Sequence, residues 1–212
     1  RPFLVKEQKS LLIEYESQDM KQILNAMLNC IEVCVPGIKT QELATFDVDY
    51  IFTQVRAKSV GETTTILSAC VECNEQNEVT INLEDVAMKS SDVKTKVIPI
   101  TDQISIHMKY PTYQEMLKNP NYMKQDGTQT ELLFESIVSC MHSVQTGEDN
   151  VVISQEPREE IEKFINSLNT DQLNKITSFV ETMPTMTHEE KFQCKKCKHE
   201  NTVELKGLQD FF

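Results

Sequence analysis

Glycine is scarce in this chain, with five in 212 residues. There is no glycine-rich loop to cradle a phosphate and no Gly-x-Ser-x-Gly elbow for a serine nucleophile. Long apolar runs are missing too, and no stretch approaches the roughly 20 residues that a membrane-crossing helix needs. Positive charge is short: 21 Lys and Arg stand against 33 Asp and Glu, for a net charge of −12 and a pI near 4.8. A chain of that sign repels nucleic acid phosphates. A disulfide framework is also excluded. The seven cysteines are an odd number, and the pattern below belongs to a reducing cytosol. The four histidines, at 107, 142, 188 and 199, pair with no nucleophile by motif. The acidic pairs Glu159-Glu160 and Glu189-Glu190 read as helix-start or solvated charge. We therefore expect no enzyme. The text contains no signal peptide, and it opens on Arg1 rather than Met, so a segment before it is expected to have been removed.

Four of the cysteines are ordered. They form two pairs, Cys70-Val71-Glu72-Cys73 and Cys194-Lys195-Lys196-Cys197, with residues 74–193 between them. Each pair is followed by four polar residues and an alternating strand, Glu78–Leu83 in the first copy and Thr202–Leu205 in the second. Two intervening residues allow a tight turn that aims both sulfurs at one point, and the free N–H groups of the turn can donate to them. Two such knuckles face to face supply the four thiolates of a tetrahedral zinc ribbon. The metal ligands expected are Cys70, Cys73, Cys194 and Cys197, holding one structural zinc per chain. Four thiolates leave no open position for catalysis. Buried free thiols and two redox Cys-x-x-Cys sites are the alternatives. A redox site wants a helix N-terminus after its first cysteine, whereas polar turns and strands follow here. Asn77 and Asn201 occupy the same place in each copy, where the reversal calls for a residue tolerant of left-handed backbone. Lys191, Lys195, Lys196 and Lys198 make a small basic patch, read as balancing the charge of four thiolates.

The rest of the chain reads as α+β. A helix at about 3–16 is followed by one at 19–35, capped near Asp19 and ended by Pro36-Gly37. A third starts at Thr45 as N-cap and ends on Arg56-Ala57-Lys58-Ser59-Val60-Gly61, with a β-branched strand from Thr63 beyond it. Ser90-Ser91-Asp92 separates the first knuckle's strand from Val97–Ile100 and from the alternating Ile104–Met108, which places His107 toward solvent. A short helix follows Thr112. The segments Asn119-Pro120-Asn121 and Gln125-Asp126-Gly127 are turn text, and a helix is expected at 128–142. Val151–Ser154 is extended. Helices start at Pro157 and at Asn169 or Thr170, and Thr185–Gln193 leads as an extended run into the second knuckle. The organisation expected is a helical subdomain at 1–62, a discontinuous four-cysteine zinc ribbon at 63–86 and 186–212, and a mixed α/β insertion at 87–185. Further metal candidates are weak. Cys30 and Cys34 share a helix face and read as packed thiols. Cys140 with His142 matches no known spacing, and His199 could replace a cysteine but has no histidine counterpart in the first copy. One of Phe211 and Phe212 is expected to pack on the ribbon.

Three stretches carry a resemblance. Arg1-Pro2-Phe3-Leu4-Val5-Lys6-Glu7-Gln8-Lys9-Ser10-Leu11-Leu12, Phe46-Asp47-Val48-Asp49-Tyr50-Ile51-Phe52 and Val55-Arg56-Ala57-Lys58-Ser59-Val60-Gly61-Glu62, with the Cys70–Cys73 knuckle after them, resemble the baseplate hub assembly proteins of T-even-type contractile-tailed phages. The resemblance is clearest over residues 1–85. It implies a viral tail protein made in the host cytoplasm that helps build the central hub of the baseplate, as an assembly factor or minor hub component in contact with the hub proteins. The Arg56–Glu62 stretch is the first candidate for such contact. The alternative is a zinc-ribbon nucleic-acid-binding or transcription-modulating protein that uses the lysines of the second knuckle.

Overall fold

The computed structural model describes residues 1–89, 96–119 and 128–211, without the side chain of Gln209. The Ser90-Ser91-Asp92 separator, the turn text at 120–127 and Phe212 lie outside the described residues. The chain is α+β and divides into two compact units, Arg1–Lys89 with Pro184–Phe212, and Ser90–Met183.

The first unit opens with helix α1, Val5–Ser17, whose free N-terminal N–H groups are met by Glu7 reaching back to the Leu4 N–H at 2.7 Å. Asp19 caps α2, Met20–Cys34, accepting from the N–H groups of Lys21 and Gln22 at 2.9 and 3.3 Å. The apolar spacing of α2 buries Leu24, Met27, Leu28, Cys30, Ile31 and Cys34 along one face. Helix α3, Thr45–Val60, corrects an expectation. Its N-cap is Ala44, which has extended backbone and whose carbonyl accepts from Asp47 and Val48, so Thr45 lies inside the first turn and caps nothing. Gly61, at φ +147°, takes the chain from α3 into strand β1, Thr63–Ala69, in a region that side chains disfavour. Strand β2, Gln76–Asn82, returns antiparallel to β1, and a short strand β3, Ala87–Lys89, follows.

The second unit contains strands β4, Val97–Pro99, and β5, Ile104–Met108, then helices α4, Tyr113–Lys118, and α5, Gln129–Cys140. Strand β6, Met141–Thr146, and strand β7, Asp149–Val152, meet at a two-residue turn with Gly147 at φ +61°. Helices α6, Arg158–Ser167, and α7, Thr170–Glu181, complete it. The four strands form one antiparallel sheet in the order β4-β5-β6-β7. The helix expected at 128–142 stops at Cys140. From Met141 the backbone is extended because Val144 pairs with Ile106 on one side and Val151 on the other. Pairing on both sides outweighs a local helical pattern. His107 sits on the polar phase of β5, as expected, with its ring nitrogen 3.1 Å from the Gln145 side-chain oxygen. Ile106, Ile137, Cys140, Met141 and Ile176 are among the fully buried core residues of this unit, and Tyr110 stacks on Phe179 at 5.8 Å. Glu135 is buried and is met by both terminal nitrogens of Arg158 and by the Asn119 amide at 2.9 Å.

The chain then re-enters the first unit as strand β8, Thr185–Gln193, and returns as β9, Glu200–Lys206. These pair in the order β3-β8-β9. Ile81, Leu83, Met186, Leu205 and Phe211 form the buried centre of this part, with Ala57 of α3 against them. Phe211 packs there, as was expected of one of the two C-terminal aromatics.

A four-cysteine candidate metal centre

The two knuckles are one structure used twice. Cys70 corresponds to Cys194, a shift of 124 positions, and every local landmark repeats at that shift. The hairpin registers match: Thr63 pairs with Asn82 and Ala69 with Gln76, while Thr187 pairs with Lys206 and Gln193 with Glu200. The turn bonds match as well. Cys70 donates its N–H to the Glu75 carbonyl at 2.9 Å, and Cys194 donates to His199 at 2.9 Å. Asn74 and Lys198 donate back to the Cys70 and Cys194 carbonyls at 2.9 and 3.0 Å.

The left-handed residues of the turns are Asn74 and Lys198, at φ +56° and +64°. The expectation that Asn77 and Asn201 fill that conformation is thereby corrected. Both lie in strands, both are buried, and each bridges to the opposite knuckle. The Asn77 side-chain oxygen accepts from the Lys195 N–H at 2.8 Å, and its amide donates to the Glu75 carbonyl at 2.7 Å and to the Cys194 sulfur at 3.8 Å. The Asn201 side-chain oxygen accepts from the Val71 N–H at 3.0 Å, and its amide donates to the His199 carbonyl at 2.9 Å and to the Cys70 sulfur at 3.6 Å. One asparagine thus satisfies its own turn, the backbone of the other turn and the other turn's first cysteine. Their identical position in each copy was the legible signal, but their bridging role depends on which way the knuckles face.

The four sulfurs converge. The ligand atoms of Cys70, Cys73, Cys194 and Cys197 all lie within 4.8 Å of one another. Cys70 and Cys197 approach to 3.6 Å, as do Cys73 and Cys194. A tetrahedron with metal–sulfur bonds of about 2.3 Å has sulfur–sulfur edges of about 3.8 Å. The spacing fits that geometry, and the four cysteines could hold a metal ion. Among the described residues they are the only gathering of three or more such ligands.

The electrostatics favour the same reading. The N–H of Cys197, then that of Lys196, hold the Cys194 thiol below its ordinary range, at about 6. Burial pushes Cys70 up, but the N–H groups of Cys73 and Glu72, with Cys197 and the Asn201 amide, outweigh it and lower it. For Cys197 the balance reverses. The His199 N–H pulls it down, yet desolvation and the sulfurs of Cys73, Cys70 and Cys194 push it up to about 12. Cys197 holds its proton because the thiol is partly desolvated and hydrogen-bonds to the neighbouring sulfurs. A divalent cation at their centre displaces that proton and takes all four as thiolates.

A family model described as "T4 bacteriophage base plate protein" matches residues 1–212. The chain belongs to this family. A search of curated proteins and a search of solved structures each return no match. Membership of a baseplate family implies contact with other baseplate proteins.

Within this baseplate protein the remaining candidates take ordinary places. Cys30 and Cys34 are packed in the core with Phe3, and burial, then Cys34, pushes the Cys30 thiol up to about 12. Cys140 is buried with its sulfur 3.6 Å from that of Met183, and burial raises its thiol to about 11. His142 is exposed on β6. His199 contributes its carbonyl to the second turn, and its ring stays out of the sulfur cluster. Lys195 and Lys196 lie 3.3 and 3.8 Å from Glu75 of the opposite knuckle. In the Arg56–Glu62 stretch, Ala57 is buried, Ser59 accepts the Phe3 N–H at 2.9 Å, and Lys58 reaches both Glu62 and Glu84. Among the described residues no helix is long and apolar enough to cross a membrane.

Proposed function

We propose that this protein is a non-enzymatic assembly factor that helps build the central hub of a phage baseplate through protein–protein contacts, working in the host cytoplasm during assembly, and that its four cysteines hold one structural zinc. The family match over the whole chain carries the assembly reading. The resemblance of the Arg1–Leu12, Phe46–Phe52 and Val55–Glu62 stretches to hub assembly proteins directs it to the hub, and makes the hub proteins the expected partners. A tagged chain expressed in infected cells should co-purify hub proteins, and phage lacking it should fail to form hubs. Normal hubs in a deletion phage overturn the reading.

Zinc is supported by the chemistry of the donors. Four thiolates, closely spaced and braced by N–H donors, form a closed soft-ligand set, and closed sets of that kind are structural. The metal joins positions distant in sequence, so that residues 63–82 and 185–206 are held as one ribbon at both ends of the intervening segment. Metal analysis of chain purified under reducing conditions without chelators should give one zinc per chain, and a metal-free product that remains fully folded removes the assignment. The nucleic-acid reading draws no support from Lys195 and Lys196, which are paired with Glu75, or from a net charge of −12.

A further inference from the structure

We infer that the outer edge of β1 is a docking site for an extended segment of a partner protein, a strand with alternating apolar side chains and lysine or arginine at its ends. The inference deepens the assembly reading and rests on it for the partner being a protein. Among the described residues, strand β1 pairs with β2 alone, in a two-stranded sheet. Its seven residues, Thr63-Thr64-Thr65-Ile66-Leu67-Ser68-Ala69, contain no charge, no proline and no glycine. Long uncharged edges offer unpaired N–H and C=O groups to any incoming strand, and proteins ordinarily blunt them with charge, proline or a cover. A strand added there gains main-chain hydrogen bonds, while alternate side chains set its specificity.

The internal repeat supplies the control. Strand β8 is the same edge in the other hairpin, 124 positions on. Its first three residues are covered by β3. Beyond that cover, the outward positions equivalent to Thr65 and Leu67 are Glu189 and Lys191, and the inward His188 bonds Glu190 at 3.0 Å. Over the positions equivalent to β1, 187–193, only Thr187 lies under β3, and charge guards the rest of that edge. β1 carries no charge, and the Thr64 hydroxyl on its inward face donates to the Phe211 carbonyl at 3.3 Å. In β1, Leu67 is 71% exposed, and Val71 just beyond the strand is 77% exposed.

Charge selects the occupant. Glu62 precedes β1, Glu72 follows it, and Glu78 pairs across from Leu67 on the same outward face. Lys58 is shared between Glu62 and Glu84, which leaves that end acidic. Antiparallel pairing of β1 with a second copy would bring the acidic ends of two chains of charge −12 together. A basic-ended strand from another protein meets attraction at the same places.

The test uses the full chain with its metal and a synthetic peptide of alternating valine and threonine with a lysine at each end. The expected result is saturable binding that slows hydrogen exchange of the β1 amides. Binding should be at least about tenfold weaker for the same peptide ended in glutamate, the order of effect that unfavourable charge pairing produces. It should be lost when alternate peptide amides are N-methylated. The double variant Thr65→Glu with Leu67→Lys, which copies the outward face of β8, should bind as weakly as the chain binds the methylated peptide, with unchanged metal content and far-UV circular dichroism. Because hub assembly is not read out, failure here leaves the assembly reading to its own test. The inference is overturned if the lysine-ended peptide leaves β1 exchange unchanged, if the double variant binds it equally well, or if β1 becomes protected in the chain alone as its concentration rises, which would assign the edge to a second copy.

Discussion

The hairpins β1–β2 and β8–β9 are equal where they face the four-cysteine cluster and unequal where they face away from it. Inward, they share register, turn bonds, left-handed residues and a reciprocal asparagine. Outward, one carries threonine and leucine where the other carries glutamate and lysine. The proposed metal would constrain both copies alike, because a tetrahedron of thiolates needs two equivalent turns. Nothing in that chemistry constrains the outer strands, so there the copies are free to differ. Inward substitutions should therefore have matched effects in the two copies, and departures from matching should track local burial.

The largest effect belongs to the ligands themselves. Cys70→Ser and Cys194→Ser remove equivalent thiolates, and each should reduce bound metal from one per chain to near zero. Binding of a structural zinc contributes on the order of 10 kcal/mol in small modules, so either variant should lose several kcal/mol of stability in the first unit. A chelator should reproduce the loss in the unsubstituted chain. Full metal occupancy in one serine variant and none in the other would break the equivalence of the copies.

Next come the apolar residues that both hairpins turn inward. Ile81 and Leu205 are equivalent positions, 0% and 4% exposed, in one buried cluster. Ile81→Ala and Leu205→Ala should each cost about 2–5 kcal/mol through lost burial and the cavity left behind. Urea unfolding at saturating metal measures both, and a difference larger than that range would show that one hairpin carries most of the packing.

The asparagines should follow. Asn77→Ala strands the Lys195 N–H, and Asn201→Ala strands the Val71 N–H. An unsatisfied polar group costs about 1–3 kcal/mol, and loss of an outer partner typically lowers metal affinity 10–100-fold. Competition with a chromophoric chelator reads the affinity directly. Asn77→Asp keeps the acceptor for Lys195 but sets a carboxylate beside the Cys194 sulfur, so it should weaken metal binding further than Asn77→Ala. Equal affinity in the two variants would mean that the repulsion between the new carboxylate and the Cys194 sulfur is no larger than the gain from keeping an acceptor for Lys195.

The sequence made the four-cysteine cluster legible because a repeated Cys-x2-Cys with a matching strand is a local pattern, and its four sulfurs do converge. It made the helices legible where a cap and a 3.6-residue stripe coincide, as with Asp19 and the Leu24–Cys34 face of α2, or with Asn169 and α7, where the Gln172 N–H reaches the Asn169 side-chain oxygen at 2.9 Å. It misled at Met141, where helix-like text continues but pairing with β5 and β7 decides the conformation. It was silent on the asparagine bridges, which exist only once two distant turns face each other. The opposed burdens of β1 and β8 were present as composition, but they gain meaning only when the 124-residue shift aligns the two strands.

The smallest effect sharpens the comparison because the copies should disagree. Val79 and Val203 are equivalent by register, pairing with Ile66 and Glu190 respectively. Val79 is 3% exposed and belongs to the buried cluster, whereas Val203 is only partly buried against it. Removing two methyl groups loses about 0.8 kcal/mol for each buried carbon, with a cavity contribution only where the site is closed. Val79→Ala should therefore cost about 2 kcal/mol and Val203→Ala about 1 kcal/mol or less, with metal content unchanged in both. Denaturation of the two variants at saturating metal decides the point. Equal losses would mean that register alone sets a residue's energetic role. Unequal losses would mean that the surroundings of each hairpin set it, so that the copies share a geometry around the cysteines without sharing a stability.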